Sequence, residues 1–492
     1  MRQMNKVLVS FFSALALFSC SGVQEHSIEI SSEEDLAGLR VATLAGSCYE
    51  MQLSPRKDIS LQLFNSDSDA LQSLINGKAD VVVEDEVVFN TVVRRDCGIK
   101  IALLGSQRFP TAFMVSKENQ ELVQAMNAVQ HRMIEDGSME TLKDFWLTDR
   151  YTEVSQYTHI PEETSGTPIR VATISDSAPL SFRVDGEWYG IEIDLLRELA
   201  KELHRPLEIK RYDSGSSFLS IKSGVADILC GAIFVTPERE LEFSFSEPYH
   251  SYHSAYFVQD REAMAGSGNM LSSLKNSIRK NLIAENRWKY ITSGLRETIK
   301  ISVLAILLGS VLGIFLYAMD RSRRKWLRAI AGGYNWFMAG IPELVLLLIM
   351  FYVVFAKVGL ASDLVAVITF SLFFASGVSR VYATSLDSVP YGQTEAGLAL
   401  GFTHVQTFFL LVLPQAVRRG LPLYKGQCIS LLKGSSIVGY IAIQDLTRAG
   451  DIIRSRTFDA LVPLAVVTIL YFLLVWLLGL SLQLVSPKKK VL

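Results

Sequence analysis

The sequence predicts an α/β bilobed module followed by an all-α membrane domain of about five transmembrane helices. Three observations predict it. Residues 21–290 mix charged and apolar residues, whereas 291–490 hold long apolar runs. Two stretches of the first part repeat one another in pattern. Several of the later apolar runs reach the roughly 20 residues that a helix needs to cross a bilayer core.

Composition narrows the function classes. The 492 residues carry 48 Lys+Arg against 50 Asp+Glu, a formal net charge of -2, which lacks the basic surplus of a nucleic-acid binder. Apolar residues make up 49% of the chain, which excludes a disordered or collagen-like protein. Five Cys in this length do not form a disulfide scaffold. No Gly-x4-Gly-Lys-[Ser/Thr] phosphate loop, nucleophile elbow or His-Glu-x-x-His occurs, so the chain is expected to be no enzyme by itself.

The first element is a targeting segment over 1–20. Arg2 and Lys6 precede the uncharged apolar stretch Val7–Phe18, and small residues come after it, as in a secretory signal. Leu17-Phe18-Ser19-Cys20 also resembles a bacterial lipobox, with a plain signal peptide or an uncleaved anchor as alternatives. Each version exports the downstream chain, where Cys48 and Cys97 could pair.

The exported part holds the repeat. Leu39-Arg40-Val41-Ala42-Thr43 parallels Ile169-Arg170-Val171-Ala172-Thr173, and Asn76-Gly77-Lys78-Ala79-Asp80 parallels Ser223-Gly224-Val225-Ala226-Asp227. Each later piece ends a helical run and opens an apolar strand, at 81–83 and 228–233, so each stretch reads as an α/β lobe. Leu196, Leu199, Ala200 and Leu203 predict an amphipathic helix over 191–204. Segment 151–167, with Pro161 and Gly166, is expected as a linker, and 261–290 as a connector. Tyr249, His250, Tyr252 and His253 fit no usual ligand spacing, so no metal site is expected.

Membrane spans are expected near 299–319, 333–355, 363–384 and 459–485, with a weaker one near 423–443 that is rich in small residues. Arg321 to Arg328, Arg418 with Arg419, and Lys488 to Lys490 come after the first, third and last spans. The positive-inside rule puts these groups in the cytoplasm, with the C-terminus inside and 21–290 outside. Arg448, Arg454 and Arg456 fall outside in that arrangement, against the rule.

Between the third and fourth spans, Glu395-Ala396-Gly397-Leu398-Ala399-Leu400-Gly401 precedes Leu411-Val412-Leu413-Pro414. This resembles the EAA loop of ABC importer permeases, and 291–486 resembles the permease family for polar amino acids, with the loop at 390–416. Gly397 at the second Ala and Leu411 at the Ile are departures. So is Ala339-Gly340-Ile341-Pro342-Glu343, where the family usually has Arg-Gly-Thr-Pro. Glu343 could meet a substrate ammonium or sit idle at headgroup level. The resemblance implies that Glu395, Ala396, Gly397, Gly401, Leu413 and Pro414 couple to a cytoplasmic ABC ATPase subunit. It also implies that ATP is used there with no cofactor on this chain, and that two chains build the pore as a homodimer in a bacterial inner membrane.

Residues 168–260 resemble lobe one of amino-acid binding proteins, through Ala178-Pro179-Leu180-Ser181-Phe182, Thr236-Pro237-Glu238-Arg239 and Phe245-Ser246-Glu247-Pro248-Tyr249. Residues 36–150 resemble lobe two, so the lobes come in permuted order. The alternative is two incomplete binding domains. The family implies that Arg239, after Thr236, holds an α-carboxylate together with the Ser47 turn. It implies that Asp85 holds the ammonium and Phe182 covers the ligand. Asp176 and Trp188 are looser candidates, and Phe234 replaces a usual Ser/Thr. A ligand-gated channel and an amino-acid sensor are the other classes that use such modules.

Overall fold

The computed structural model describes residues 28–87, 98–147, 166–174, 178–184, 186–260, 275–356, 358, 360–457 and 459–485. The expected signal segment with Cys20, and Cys97, lie outside the described residues, as does most of the expected linker.

The repeat builds two sheets of equivalent order. In the first, β1 (Arg40–Leu44), β2 (Ser60–Phe64) and β3 (Val81–Asp85) are parallel, joined by α1 (Cys48–Leu53) and α2 (Asp67–Ile75). Strands β4 (Ile99–Thr111) and β5 (Met114–Ser116) come next, then α3 (Gln120–Glu135) and α4 (Ser138–Leu147). In the second sheet, β6 (Ile169–Thr173), β9 (Leu207–Arg211) and β10 (Ile228–Cys230) are parallel. Between them come the hairpin β7 (Phe182–Val184) and β8 (Glu187–Tyr189), then α5 (Ile191–Leu203) and α6 (Ser214–Lys222). The module ends with α7 (Pro237–Glu242), β11 (Phe243–Phe245) and β12 (His250–Gln259).

The repeated motifs meet in space. Arg40 and Asp80 form an ion pair at 2.6 Å beside the first sheet, and Arg170 and Asp227 repeat it at 2.6 Å beside the second. Gly77 and Gly224 hold φ of 66° and 71° just ahead of those aspartates, a left-handed turn that glycine adopts at little cost.

The lobes do not divide at 150 and 168 as expected. The sheet orders are β2-β1-β3-β12-β4 and β11-β5-β10-β6-β9. Strand β12 thus returns from the second stretch to lie antiparallel between β3 and β4, while β5 leaves the first stretch to pair with β10. Helices α3 and α4 go with it. Trp146 Nε1 donates to Asp194 on α5 at 2.7 Å, and Arg132 pairs with Glu198 and Glu202. Strand patterning reveals a strand and its buried face but not its partner, so this exchange leaves no local signature. One bilobed module results, and the reading of two incomplete domains is not supported. The chain crosses between the sheets at 111–114 and 245–250, where Thr111 Oγ1 donates to the His250 carbonyl at 3.0 Å.

The membrane part is helical. It comprises α8 (Trp288–Asp320), α9 (Lys325–Gly340), α10 (Glu343–Ile349), α11 (Ser362–Asp387), α12 (Gly392–Ala399), α13 (His404–Thr407), α14 (Leu413–Gly434), α15 (Leu446–Thr457) and α16 (Leu461–Val485). Among the described residues three helices are long and apolar enough to cross a membrane, or up to five if each bent pair is one span. The expected span 333–355 is broken, because the chain bends by 107° between α9 and the helix that starts at Glu343. Pro342 has no N–H to continue the helix and disfavours helical backbone at Ile341, whose ψ is 131°. Buried residues of the second lobe, such as Tyr212 and Phe243, share one continuous apolar core with Phe351, Phe370 and Ile441 of the membrane part.

Candidate functional site

Three helix starts set the cleft between the lobes. Ser47 accepts from the Glu50 N–H at 3.1 Å and opens α1. Ser66 does the same for Asp69 at 3.2 Å and opens α2. Thr236 accepts from the Arg239 N–H at 3.3 Å, with Pro237 at the first helical position, and opens α7. These caps fix the turns from which Ser47, Asp67 and Arg239 line the cleft.

Arg239 reaches from the second lobe into the first. Its Nη1 donates to the Phe234 carbonyl at 2.9 Å, and its Nη2 donates to the Gly46 carbonyl across the cleft. Its guanidinium lies 5.0 Å from the Phe218 ring centroid. Burial lowers its pKa from the ordinary arginine value. Asp85 faces the cleft from β3 and accepts from the Tyr49 hydroxyl. Burial pushes its carboxyl up to about 8; the Tyr49 bond pulls down, while the charges of Asp67, Glu86 and Glu192 push further up.

The sequence-expected residues therefore divide. Arg239, Asp85, Ser47 and Phe234 line one cleft. Phe234 lacks a hydroxyl, yet its carbonyl holds Arg239, and its ring packs on Tyr49 and Phe109 at 5.7 and 5.6 Å. Thr236 stays behind the cleft as the cap of α7. Phe182 is not at the cleft: its ring packs on Trp146 at 5.8 Å in the second lobe's core, and Ala178 and Leu180 of the same segment line the cleft instead. Trp188 is also elsewhere, stacked under the Arg183 guanidinium at 4.9 Å. Asp176 lies outside the described residues. The cleft further holds Tyr49, Asp67, Glu84, Ser214 and Phe218. Glu84 lies in the acidic run Glu84-Asp85-Glu86, which hides it in the sequence.

A second constellation lies on the membrane part. Helix α12 exposes Glu395 and Ala396 and buries Gly397. Gly401 comes next with φ of 85°, and Leu413 and Pro414 open α14. Leu400 and Val405 are 75% and 66% exposed, leaving an apolar surface around the loop. The departures at 397 and 411 touch. A Cβ on Gly397 would stand 2.6 Å from Thr407 Cγ2 and 2.8 Å from Leu411 Cδ1, so these two side chains occupy the space the glycine leaves. Glu343 is half-buried, and its carboxylate abuts Gly434 of α14, inside the helical domain rather than at its edge.

A third set of contacts joins the two parts. On α15, Arg448 pairs with Asp213 of the second lobe and Arg454 with Asp69 of the first. Arg456 donates to Tyr290 on α8 at 3.0 Å, and Tyr290 donates to the Arg183 carbonyl at 3.4 Å. The three arginines that opposed the positive-inside rule thus serve the binding module.

A two-lobed cleft packed on a helical membrane domain defines a membrane transport protein that carries its own binding module. The family of bacterial extracellular solute-binding proteins, family 3, matches residues 169–400, a range that runs past the α/β module into the helices. The L-cystine transport system permease protein TcyB of Bacillus subtilis is 32% identical over 210 residues, 42% of this chain and 90% of that protein. The probable amino-acid ABC transporter permease protein YckA of Bacillus subtilis is 31% identical over 39% of this chain and 84% of that protein. The glutamate/aspartate import permease protein GltK of Escherichia coli is 33% identical over 34% of this chain and 79% of that protein. The chain belongs to the family of amino-acid ABC transporter permeases. It is a fused binding and permease chain of an amino-acid ABC importer, a multi-pass protein of the inner membrane.

Proposed function

We propose that the chain captures a polar amino acid in its outer cleft and passes it through its own helices, driven by ATP hydrolysed on a separate cytoplasmic subunit. The observation that carries the reading is that Arg239 and Asp85 line one cleft from opposite lobes. A zwitterion needs a fixed cation and a fixed anion, and the planar Arg239 fork suits a carboxylate. Asp85 takes the ammonium, Ser47 and its turn add donors beside the carboxylate, and Phe234 positions Arg239. The Gly46 carbonyl accepts from one arm of the fork, and an arriving carboxylate displaces it.

The exposed α12 seats in the ATPase subunit, with Glu395, Ala396 and Gly401 shaping the contact and Leu413-Pro414 passing the motion to α14. Two copies form the pathway as a homodimer, with the C-terminus cytoplasmic and the module outside. Because the module is tethered, its ligand meets the helices at high effective concentration.

Reconstitution in liposomes tests the reading. Amino-acid uptake that needs both the ATPase subunit and ATP is expected. Currents without ATP would assign a channel, and binding without flux a sensor.

A further inference from the structure

The cleft holds more carboxyl groups than a zwitterion requires. Arg239 and Asp85 meet the two charges of any α-amino acid. Two more carboxylates, Asp67 and Glu84, line the same space. Asp67 stands in the field of Arg211, a cation of β9 that offsets it. Burial pushes the Glu84 carboxyl well up, and among the described residues the charges acting on it are those of Asp67 and Asp85, which push it further.

Glu84 is also underused as a hydrogen-bond acceptor. It is 3% exposed, the Leu44 N–H bonds its carboxylate, and Oε1 has no partner among the described residues. The nearby hydroxyls are engaged elsewhere, Tyr49 with Asp85 and Ser214 with the Ala45 carbonyl. A buried carboxylate oxygen without a donor is costly unless something supplies one. Glu84 is thus a third acceptor inside the cleft, beyond the two groups that meet a zwitterion, and a ligand with a cationic side chain brings the donor that it lacks.

The remaining walls suit such a ligand. Phe218, Phe234 and Tyr49 give the cleft aromatic faces, which accept both an aliphatic stem and a cation. Along the helices, Glu343 stands near the position where the sequence lacks an arginine, so the membrane part also offers a carboxylate.

We propose that the cleft selects an amino acid with a cationic side chain, whose terminal ammonium or guanidinium bonds Glu84 while Arg239 and Asp85 hold the backbone groups. This rests on the amino-acid-binding role given to the cleft above. Titration calorimetry of the full chain in nanodiscs compares L-lysine and L-arginine with L-norleucine, which keeps the lysine stem without its charge, and with L-glutamine and L-glutamate. Lysine or arginine binding at least about tenfold tighter than norleucine and glutamine is the expected result, since a charged hydrogen bond is lost in each comparison. In Glu84→Gln the lysine-to-glutamine affinity ratio falls by about tenfold. Glutamine, norleucine or glutamate binding as tightly as lysine overturns the charge selection and leaves the amino-acid role intact. An unchanged ratio in Glu84→Gln overturns the part given to that residue. Failure of every amino acid to bind removes the role of the cleft itself, and this inference with it.

Discussion

The Arg448 guanidinium donates to the Asp213 carboxylate at 2.6 Å, tying helix α15 of the membrane domain to the residue that precedes α6 of the second lobe. Further along the same helix Arg454 pairs with Asp69 of the first lobe. One helix therefore holds both walls of the cleft, and separating the walls must loosen one pair or the other. Arg448→Ala or Asp213→Ala is expected to lower ATP-driven uptake several-fold while calorimetric ligand affinity stays near normal. A double-mutant cycle on uptake should give a coupling of roughly 0.5–3 kcal/mol, the range for contacting pairs. Additive losses would show that the pair carries no signal.

Arg239 sets the second expectation. Arg239→Ala removes two charge-assisted bonds to a carboxylate, each of about 1.5–3 kcal/mol. Affinity should fall by at least about a hundredfold in titration calorimetry. Arg239→Lys keeps the charge without the planar fork and should also bind poorly. Near-normal affinity in either variant would contradict the assigned role.

Asp85 makes binding pH-dependent. Its carboxyl is raised to about 8 by burial, with Asp67, Glu86 and Glu192 adding to the rise and the Tyr49 hydroxyl opposing it. Burial thus favours the protonated acid at neutral pH, whereas a ligand ammonium requires the carboxylate. Affinity should rise with pH by up to about tenfold per unit and level off above about pH 8. Calorimetry in buffers of different ionisation enthalpy should detect release of a proton near pH 7. The stability of the module carries the matching pH dependence. The contribution of this group to its stability is full below about pH 4 and is lost as pH rises to about 8. A flat affinity profile between pH 6 and 8 would exclude Asp85 as the ammonium partner.

The coupling loop gives a fourth expectation. Gly397→Ala drives a methyl into Thr407 and Leu411, an overpacking of about 1–3 kcal/mol. The variant should stimulate the ATPase less, and adding Leu411→Val should recover part of the loss. Full stimulation by Gly397→Ala alone would mean that the loop tolerates displacement.

Much of this was legible in the residues, and the limits have physical causes. The paired motifs around Arg40 and Asp80, and around Arg170 and Asp227, marked two equivalent lobes because each pair closes the same turn in its sheet. Arg239 was legible because Thr236-Pro237-Glu238-Arg239 resembles the motif that holds a carboxylate in amino-acid binding proteins. The lobe boundaries were not, since β5 and β12 exchange sheets through long-range pairing that no local pattern encodes. Phe182 looked like a ligand cover, but its aromatic ring serves the core as well as it would serve a site. Glu84 was hidden in an acidic run that reads as a solvated turn, and only its burial on β3 sets it apart. Pro342 was visible, yet the hydropathy of 333–355 outweighed it as a span signal.

The last strand of the cleft ends at Gln259 and the first long membrane helix begins at Trp288 of the same chain, so receptor and transport helices are made in fixed one-to-one ratio. Every copy of the helices thus carries its own receptor beside it. Uptake by such a system should saturate with the number of transporters in the membrane, and its choice of nutrient is written into one polypeptide.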